Sequence, residues 1–284
     1  MDIIDVWMQH PTKRFMEQPF LESLRRWVGA EQLPETIPLE MTLAAMDAGG
    51  VSQGLLAAWY GPQGALISNE EVAAWCRAHP DRFVGLASGD LHRPMEAVRA
   101  LRQAVKEWGF KGLRMVPWLW GLPPDDRRYY PLYAECVDLG VPFCTQVGHT
   151  GPLCTSETGR PIPYLENVAL EFPELTIVAG HIGAPWLSEM LLLARKFPNV
   201  YIDTSAYKIK RYPQELVDYM KQGGAKKVLF GTNYPMVSPA QSLADLESMG
   251  LDEKGKRLFL CENAQRVFKL GQIHQPGSEV RSSR

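Results

Sequence analysis

Short apolar runs alternate along the chain with longer segments whose apolar residues recur at helical spacing. The runs that predict β-strands span residues 2–6, 50–59, 83–88, 111–116, 141–147, 175–180, 199–204 and 227–232. Most are apolar throughout rather than alternating, which is typical of parallel strands that are covered on both faces. Eight such runs, each followed by a helix or a connection long enough to hold one, predict a closed (β/α)8 TIM barrel in the α/β class. An open doubly wound sheet is the alternative, although no GxGxxG motif follows a strand.

The helical segments begin and end at residues that suit helix termini. The segment NEEVAAWCRAHP starts with Asn69 as the expected N-cap, has two acidic residues in its first turn and stops at Pro80. The segment PMEAVRALRQAVKEWG places apolar residues at helical spacing and ends at Gly109. The barrel is expected to occupy residues 1–271 as one domain, with a polar, disordered tail over residues 272–284.

Three connections are longer than a tight turn, namely residues 7–40, 117–128 and 148–162. Each follows a predicted strand, so all three are expected at the carboxyl ends of the barrel strands, where such barrels carry their chemistry. Trp118 and Trp120 lie in the second connection and are candidates for a lid or a pocket wall. The alternative is that these aromatic side chains pack a long loop against the barrel.

Composition and charge narrow the class of protein further. Of the 284 residues, 45% are hydrophobic, and 30 basic against 32 acidic residues give a formal net charge of −2. Neither nucleic acid nor an anionic membrane is therefore an expected partner, and the basic run KIKRYP is interpreted as a solvated loop. Five cysteines without CxxC spacing predict reduced thiols, and the start MDIIDV does not resemble a signal peptide. We expect a cytoplasmic protein without a spanning helix.

Polar side chains at the ends of predicted strands are the sharpest chemical signal. His149 follows the fifth strand in VGHTG, and His181 follows the sixth in VAGHIGAPW. A single histidine after a strand is usually structural. Two histidines on adjacent barrel strands, each flanked by glycine, are more specific because they converge toward the barrel axis.

The ordered set of motifs resembles the amidohydrolase superfamily. It comprises these two histidines, NVYIDTS on the seventh strand, FGTNYP at the end of the eighth and a closing NAQRVF, and the resemblance covers residues 2 to 271. The nearest branch includes decarboxylases of aromatic acids and lactone hydrolases. The resemblance implies a metal site built from an HxH or ExH pair after strand one, a histidine after strand five, often one after strand six, and an aspartate after strand eight.

Carried over residue by residue, that metal site is incomplete. His149 and His181 match, but the HxH positions hold Trp7 and Gln9, and Asn233 replaces the aspartate. An indole offers no lone pair to a metal, and the two amides offer neutral oxygens that cannot act as a general base. His10 is one residue out of step, which directs it to the other face if the strand continues. If the strand has already ended, His10 stays a candidate substitute ligand.

Other polar residues complete the candidate site. Lys111, Arg114 and Arg160 could bind a carboxylate, for which arginine offers bidentate geometry. Their alternative roles are a surface lysine and salt-bridge partners. The predicted catalytic residues are His149, His181, Asn233 and Arg114, and the predicted substrate-binding residues are Trp7, Gln9, Trp118, Trp120 and Arg160. Cys144 and Asp203 are expected behind the site.

These residues leave three hypotheses for the function. The first is a supporting subunit of a metal-dependent enzyme complex whose related partner barrel carries the intact metal site. The complex would be a hydrolase, decarboxylase or oxygenase acting on a small carboxylic substrate. The second is a metal-independent, lactonase-like hydrolase that uses His149, His181 and Arg114. The third is a metalloenzyme with an altered mononuclear site on His149 and His181.

The same residues predict the cofactor and the assembly. We expect no tightly bound cofactor in this chain, although one weakly held divalent ion (Zn, Mn or Fe) on the two histidines is compatible with them. Tryptophans near the strand ends favour a homo- or hetero-oligomer with a related barrel, because aromatic residues are enriched at buried interface centres.

Overall fold

The computed structural model describes residues 1–29 and 36–271 of the chain. The segment 272–284, for which we predicted disorder, lies outside the described residues. The strands are β1 (Ile4–Met8), β2 (Gln53–Ala57), β3 (Trp59–Gly61), β4 (Gly64–Ile67), β5 (Phe83–Leu86), β6 (Leu113–Met115), β7 (Phe143–Gln146), β8 (Ile177–Gly180), β9 (Val200–Asp203) and β10 (Val228–Leu229).

The α-helices are α1 (Lys13–Met16), α2 (Glu22–Val28), α3 (Leu39–Ala48), α4 (Asn69–Ala78), α5 (Pro94–Trp108), α6 (Pro117–Trp120), α7 (Tyr130–Leu139), α8 (Glu166–Glu171), α9 (Leu187–Lys196), α10 (Gln214–Lys221), α11 (Pro239–Leu243), α12 (Glu253–Arg257) and α13 (Asn263–Phe268). Short 3₁₀ or π turns cover Pro19–Leu21, Glu157–Gly159, Pro161–Leu165, Ile209–Arg211, Gly224–Lys227, Leu246–Met249 and Leu258–Glu262.

Parallel strands close into the expected barrel. β1, β2 and β5 pair in that order, as do β6, β7, β8, β9 and β10. A bridge between Ala87 and Leu113 joins the two groups at one seam, and a bridge between Met8 and Tyr234 joins them at the other. The eight predicted strand regions and the (β/α)8 barrel are therefore confirmed.

Two local features differ from the sequence-based expectation. The predicted strand 50–59 ends at Ala57, and β3 and β4 form an antiparallel hairpin directly after it. The N-cap of α4 is Ser68, which makes a capping box with Glu71. Asn69 instead exchanges two hydrogen bonds of 3.0 Å with the backbone of Ser88, and so ties α4 to the end of β5.

Buried side chains divide into a core under the helices and a second core inside the barrel. The inner core combines strand residues with residues of α13: Val6, Leu55, Leu86, Cys144, Val178, Leu229, Val267 and Phe268. Alternation along the strands produces this division, since Leu55 belongs to the inner core and Leu56 to the outer one. No helix in the described residues has the length and apolar character needed to span a membrane.

Candidate active site

A cavity of about 730 Å³ lies at the carboxyl ends of the barrel strands. All three of the long connections contribute to its lining, as predicted: Leu24 and Arg25 from the first, Trp118 from the second, and His149 and Pro152 from the third. The volume falls within the range of small-molecule sites, which is about 300–1,000 Å³.

The Trp7 side chain lies beneath this cavity rather than on its wall. It is 1% exposed, and its ring packs edge-on against the His181 imidazole with centroids 5.1 Å apart. The indole fits because positions 180 and 231 are glycine. A Cβ at Gly180 would come within 2.5 Å of the Trp7 ring, and one at Gly231 within 3.1 Å of Trp7 Cβ. The first position of the expected metal-ligand pair is thus occupied by a packed aromatic ring.

The Arg114 guanidinium lies over the Trp7 indole. Its Cζ is 4.4 Å from the ring centroid, which is a cation–π contact, and the side chain is 1% exposed. Nη2 donates to the backbone oxygen of Met8 at 2.9 Å and to Oε1 of Gln9 at 3.0 Å. Burial lowers the pKa of Arg114 to about 9. Arg114 does not line the cavity, but it is hydrogen-bonded to Gln9, which does.

Gln9 and Asn233 connect Arg114 to His181. Gln9 Nε2 donates to Oδ1 of Asn233 at 3.1 Å and also contacts the backbone oxygen of Tyr234. Asn233 Nδ2 lies 3.4 Å from Nε2 of His181. Gln9, His181 and Asn233 all line the cavity. We call Trp7, Gln9, Arg114, His181 and Asn233 the floor network.

His181 ends the network on a strained backbone. Its φ is 71° and that of Asn233 is 64°, both in the left-handed region that non-glycine residues rarely occupy. His181 Nδ1 lies 2.8 Å from Ser205 Oγ, and the Ser205 backbone N–H donates to Asp203 at 2.7 Å. Burial, and then the nearby Arg114 charge, lower the pKa of His181 to about 3. The imidazole is therefore neutral at physiological pH.

Basic side chains form the rim of the cavity. Arg25 comes from α2, while Lys208 and Arg211 come from the connection after β9. The cavity lining that the structure describes contains no aspartate or glutamate. The rim is therefore suited to an anionic ligand. We call Arg25, Lys208 and Arg211 the cationic rim.

Aromatic side chains form one wall. The Trp59 and Trp118 rings are tilted at 54° with centroids 6.2 Å apart, and both line the cavity. Trp118 Nε1 donates to Oε1 of Gln146 at 2.7 Å, which fixes the indole while leaving its ring available to a ligand. Gln146 Nε2 in turn donates to the backbone oxygen of His149 at 3.3 Å. The wall offers flat apolar area beside the cationic rim.

The structure brings together five of the nine predicted site residues on the cavity lining: Gln9, Trp118, His149, His181 and Asn233. Trp7 and Arg114 lie beneath them. The side chain of His149 is exposed at the cavity, with Nδ1 3.3 Å from Ser156 Oγ, whereas His181 is buried.

Two predicted substrate-binding residues lie elsewhere. Trp120 packs against His92 and does not line the cavity. The reason is geometric, because residues two apart on the turn α6 point about 200° apart, so Trp118 and Trp120 cannot share a face. Arg160 makes a two-pronged ion pair with Glu189, with its nearest contact at 2.7 Å, and is likewise outside the lining. Both residues therefore lie outside this cavity, and their role in substrate binding stays a prediction.

His10 and Lys111, which the sequence also offered as candidates, lie away from the cavity. His10 contacts Thr42 Oγ1 at 2.8 Å and the backbone oxygen of Ile37 at 3.1 Å, away from the cavity lining. Lys111 precedes β6 and lines a separate depression with Phe83 and Trp108. Neither residue lines the cavity.

Sequence reasoning missed the cationic rim. The run KIKRYP was interpreted as a solvated loop, yet Lys208 and Arg211 from it line the cavity. The signal that could have found them is position, because the run follows a barrel strand in the same way as the histidines do. Arg25 had no such signal, since it lies on a helix within the long first connection.

A parallel (β/α)8 barrel with a cationic and aromatic cavity at its carboxyl ends is typical of small-molecule enzymes. The family model described as "Amidohydrolase" matches residues 4–270, and the chain belongs to this amidohydrolase family. A γ-resorcylate decarboxylase of Rhodococcus jostii is 26% identical over 254 residues, which cover 72% of this chain and 75% of that protein.

Solved structures show the same fold. An uncharacterized TIM-barrel protein from Bordetella bronchiseptica has a TM-score of 0.80 and 27% identity, and covers 95% of this chain and 99% of its own. A dihydroxybenzoic acid decarboxylase from a Polaromonas species, with bound manganese and the inhibitor 2-nitroresorcinol, has a TM-score of 0.68 and 21% identity. The match covers 94% of this chain and 97% of that one.

The floor network does not fit a resident divalent ion. Within residues 1–29 and 36–271, no group of three or more His, Cys, Asp or Glu side chains is placed to hold a metal. The amides of Gln9 and Asn233 are engaged with each other, and the Arg114 cation lies 3.0 Å from the one amide oxygen that Gln9 could offer. The mononuclear alternative on His149 and His181 stays a prediction.

Proposed function

We propose that this chain binds a small aromatic carboxylate in the barrel mouth and decarboxylates it without a metal ion held by the floor network. The observation that carries the proposal is the cationic rim beside the Trp59 and Trp118 wall, in a cavity whose described lining has no acidic residue. Aromatic surface and arginine or lysine together favour a flat anion.

The relatives support the same substrate class. The Rhodococcus jostii protein is a γ-resorcylate decarboxylase, and the Polaromonas protein is a decarboxylase of dihydroxybenzoic acid. Both names describe the loss of carbon dioxide from a small aromatic acid. A cavity of about 730 Å³ accommodates a molecule of that size.

The reaction requires a proton. Loss of carbon dioxide breaks the bond between ring and carboxylate and leaves the electron pair on the ring carbon, which then takes up a proton. Asn233 has no acidic proton, and His181 is neutral and buried. His149 is exposed at the cavity, so we assign proton delivery to it.

The test of substrate binding uses purified chain treated with a chelator and a panel of benzoate, γ-resorcylate and benzamide. Calorimetry is expected to show binding of the acids, weaker binding of the amide, and a loss of about 10- to 100-fold for the double variant Lys208→Met, Arg211→Met. Lys210→Met is the matched control, because Lys210 lies in the same run, is exposed and does not line the cavity. Equal binding of acid and amide would contradict the proposal.

The test of the reaction measures carbon dioxide release from the acids that bind. His149→Gln is expected to lower kcat by about 100-fold or more with little change in affinity, as general acid catalysis predicts. An unchanged kcat would remove His149 from the mechanism.

A metal-independent hydrolase is the second candidate. It is favoured by the Asn233 amide and the cationic rim, which can polarise a carbonyl oxygen. Hydrolysis of small aromatic or unsaturated lactones by the chelator-treated chain, without carbon dioxide release, would favour it over the decarboxylase.

The supporting-subunit hypothesis and the oligomer it implies stay predictions. Sedimentation velocity at micromolar concentration tests them. A 31.9 kDa monomer that releases carbon dioxide on its own would contradict both.

A further inference from the structure

The hydrogen bonds of the floor network have a direction that Arg114 sets. A guanidinium only donates, so the Gln9 atom 3.0 Å from Arg114 Nη2 must be the amide oxygen. The other end of the Gln9 amide lies against the backbone oxygens of Tyr234 and Asn233, which only accept. Chemistry on both sides therefore fixes the Gln9 amide in one orientation.

The same reasoning passes from Gln9 to Asn233 and His181. Gln9 Nε2 donates, so the Asn233 side-chain atom 3.1 Å away must be the oxygen Oδ1. Asn233 Nδ2 then faces His181 Nε2 at 3.4 Å, and because an amide nitrogen only donates, Nε2 must carry the lone pair. The imidazole proton is left on Nδ1, 2.8 Å from Ser205 Oγ.

We propose that Arg114 is a positioning residue which, through Gln9, holds the Asn233 amide with its N–H groups toward His181 and the cavity. Asn233 is thereby the donor that binds an acceptor oxygen of the ligand, either a carboxylate or a carbonyl oxygen. The identity of that ligand rests on the proposed function, whereas the direction of the network does not.

Three observations make Asn233 suited to this role. One amide hydrogen is directed at His181, and among the described residues no protein acceptor takes the other. The residue lines the cavity, and its backbone N–H donates to the Trp7 oxygen at 2.8 Å, which fixes the main chain at φ 64°.

The tautomer of His181 shows the direction of the floor-network hydrogen bonds in the ligand-free chain, because it depends on whether Asn233 donates to Nε2. Long-range ¹H–¹⁵N correlation spectra, assigned by the loss of signals in His181→Gln, are expected to show a protonated Nδ1 and a pyridine-like Nε2. A protonated Nε2 in the wild-type chain overturns the proposal. This measurement requires neither substrate nor activity, so its failure is distinct from failure of the proposed function.

The variant Gln9→Glu is expected to reverse the network. The introduced carboxylate keeps an acceptor for Arg114 but has no donor, so Asn233 must turn Nδ2 toward that carboxylate and present Oδ1 to His181. His181 then needs a proton on Nε2, and the spectra are expected to show that switch. Gln146→Glu is the matched control, because it adds the same charge to the same cavity outside the network. A wild-type tautomer in Gln9→Glu, or the same switch in Gln146→Glu, overturns the proposal.

The variant Asn233→Asp tests the contact between Asn233 and the ligand. It also replaces Gln9→Glu as the test of the network if circular dichroism shows that Gln9→Glu is unfolded. Two acceptor oxygens replace the donor, so a proton is expected on His181 Nε2, and affinity for the best acid of the panel is expected to fall by about 10- to 100-fold. Unchanged affinity together with an unchanged tautomer overturns the role of Asn233. Absence of binding in the wild-type chain overturns the proposed function while leaving the tautomer result intact.

Discussion

The floor network and the cationic rim lie at one cavity, yet their side chains are held in opposite ways. Trp7 and Arg114 in the floor are 1% exposed and pack against each other. The cationic rim comes from connecting segments and is partly or fully exposed to solvent. A buried network provides fixed direction, and an exposed rim provides charge that a ligand can engage. We therefore expect substitutions in the floor to change stability and orientation, and those in the rim to change affinity.

The largest expected effect is on stability, in Trp7→Ala. The free energy of unfolding is expected to fall by about 3–5 kcal/mol, because a large ring beneath the cavity is removed and Arg114 loses the nearer of its two cation–π contacts. Trp27→Ala is the matched control at the cavity edge, where the ring is 69% exposed, and about 0.5 kcal/mol or less is expected. Urea denaturation measures both. Losses of similar size would remove the distinction between the buried floor and the exposed edge of the cavity.

The second effect is a pH dependence of the free energy of unfolding, caused by the buried Asp203. Burial raises its pKa from 3.8 to about 7, so between these values the folded chain keeps a proton that the unfolded chain releases. The Asp203 contribution to stability is therefore present at low pH and lost as pH rises toward 7, by about 1.4 kcal/mol per pH unit and about 4 kcal/mol in all.

The variant Asp203→Asn isolates this contribution, because its side chain does not titrate. The unfolding free energy of the wild-type chain minus that of the variant is expected to decrease between pH 4 and pH 7 and to level off above. Asp5, whose pKa burial also raises to about 7, is present in both proteins and largely cancels in the difference. A difference independent of pH would show that Asp203 is ionised in the folded chain.

Features that depend on local sequence were predicted better than features that depend on three-dimensional packing. The eight strands were predictable because a parallel barrel strand must be apolar on both faces, and that requirement is local. The β3–β4 hairpin was missed because the run 50–59 is apolar across the break after Ala57. His181 was found from its position after a strand, whereas Gln9 and Asn233 were found through motif positions that the family resemblance supplied.

The positions of the arginines depended on three-dimensional packing. Nothing local distinguishes Arg114, which lies over Trp7, from Arg160, which pairs with Glu189 at the surface. The same holds for the rim, since a basic run has the same sequence whether it faces a cavity or bulk water. A charged residue near a strand end is thus a weaker predictor of a ligand-binding site than its position at the carboxyl end of a barrel strand.

The smallest expected effect is on affinity, in Arg25→Met. Loss of one rim cation is expected to weaken binding of an aromatic carboxylate by about 3- to 10-fold, with no change in the His181 tautomer. Arg26→Met is the control, since Arg26 is exposed on the same helix and outside the lining. Calorimetry at low and high salt measures the loss. An Arg25→Met affinity equal to that of the control would remove Arg25 from the rim.

Calorimetric titration of the chelator-treated chain with γ-resorcylate and benzoate, with and without added manganese, tests the central claim most directly. The claim is that a directed hydrogen-bond network and a cationic rim bind an aromatic carboxylate without a metal held by the floor. At least one acid is expected to bind, with the same dissociation constant with and without manganese. Binding that occurs only with manganese, or no binding in either condition, would contradict it.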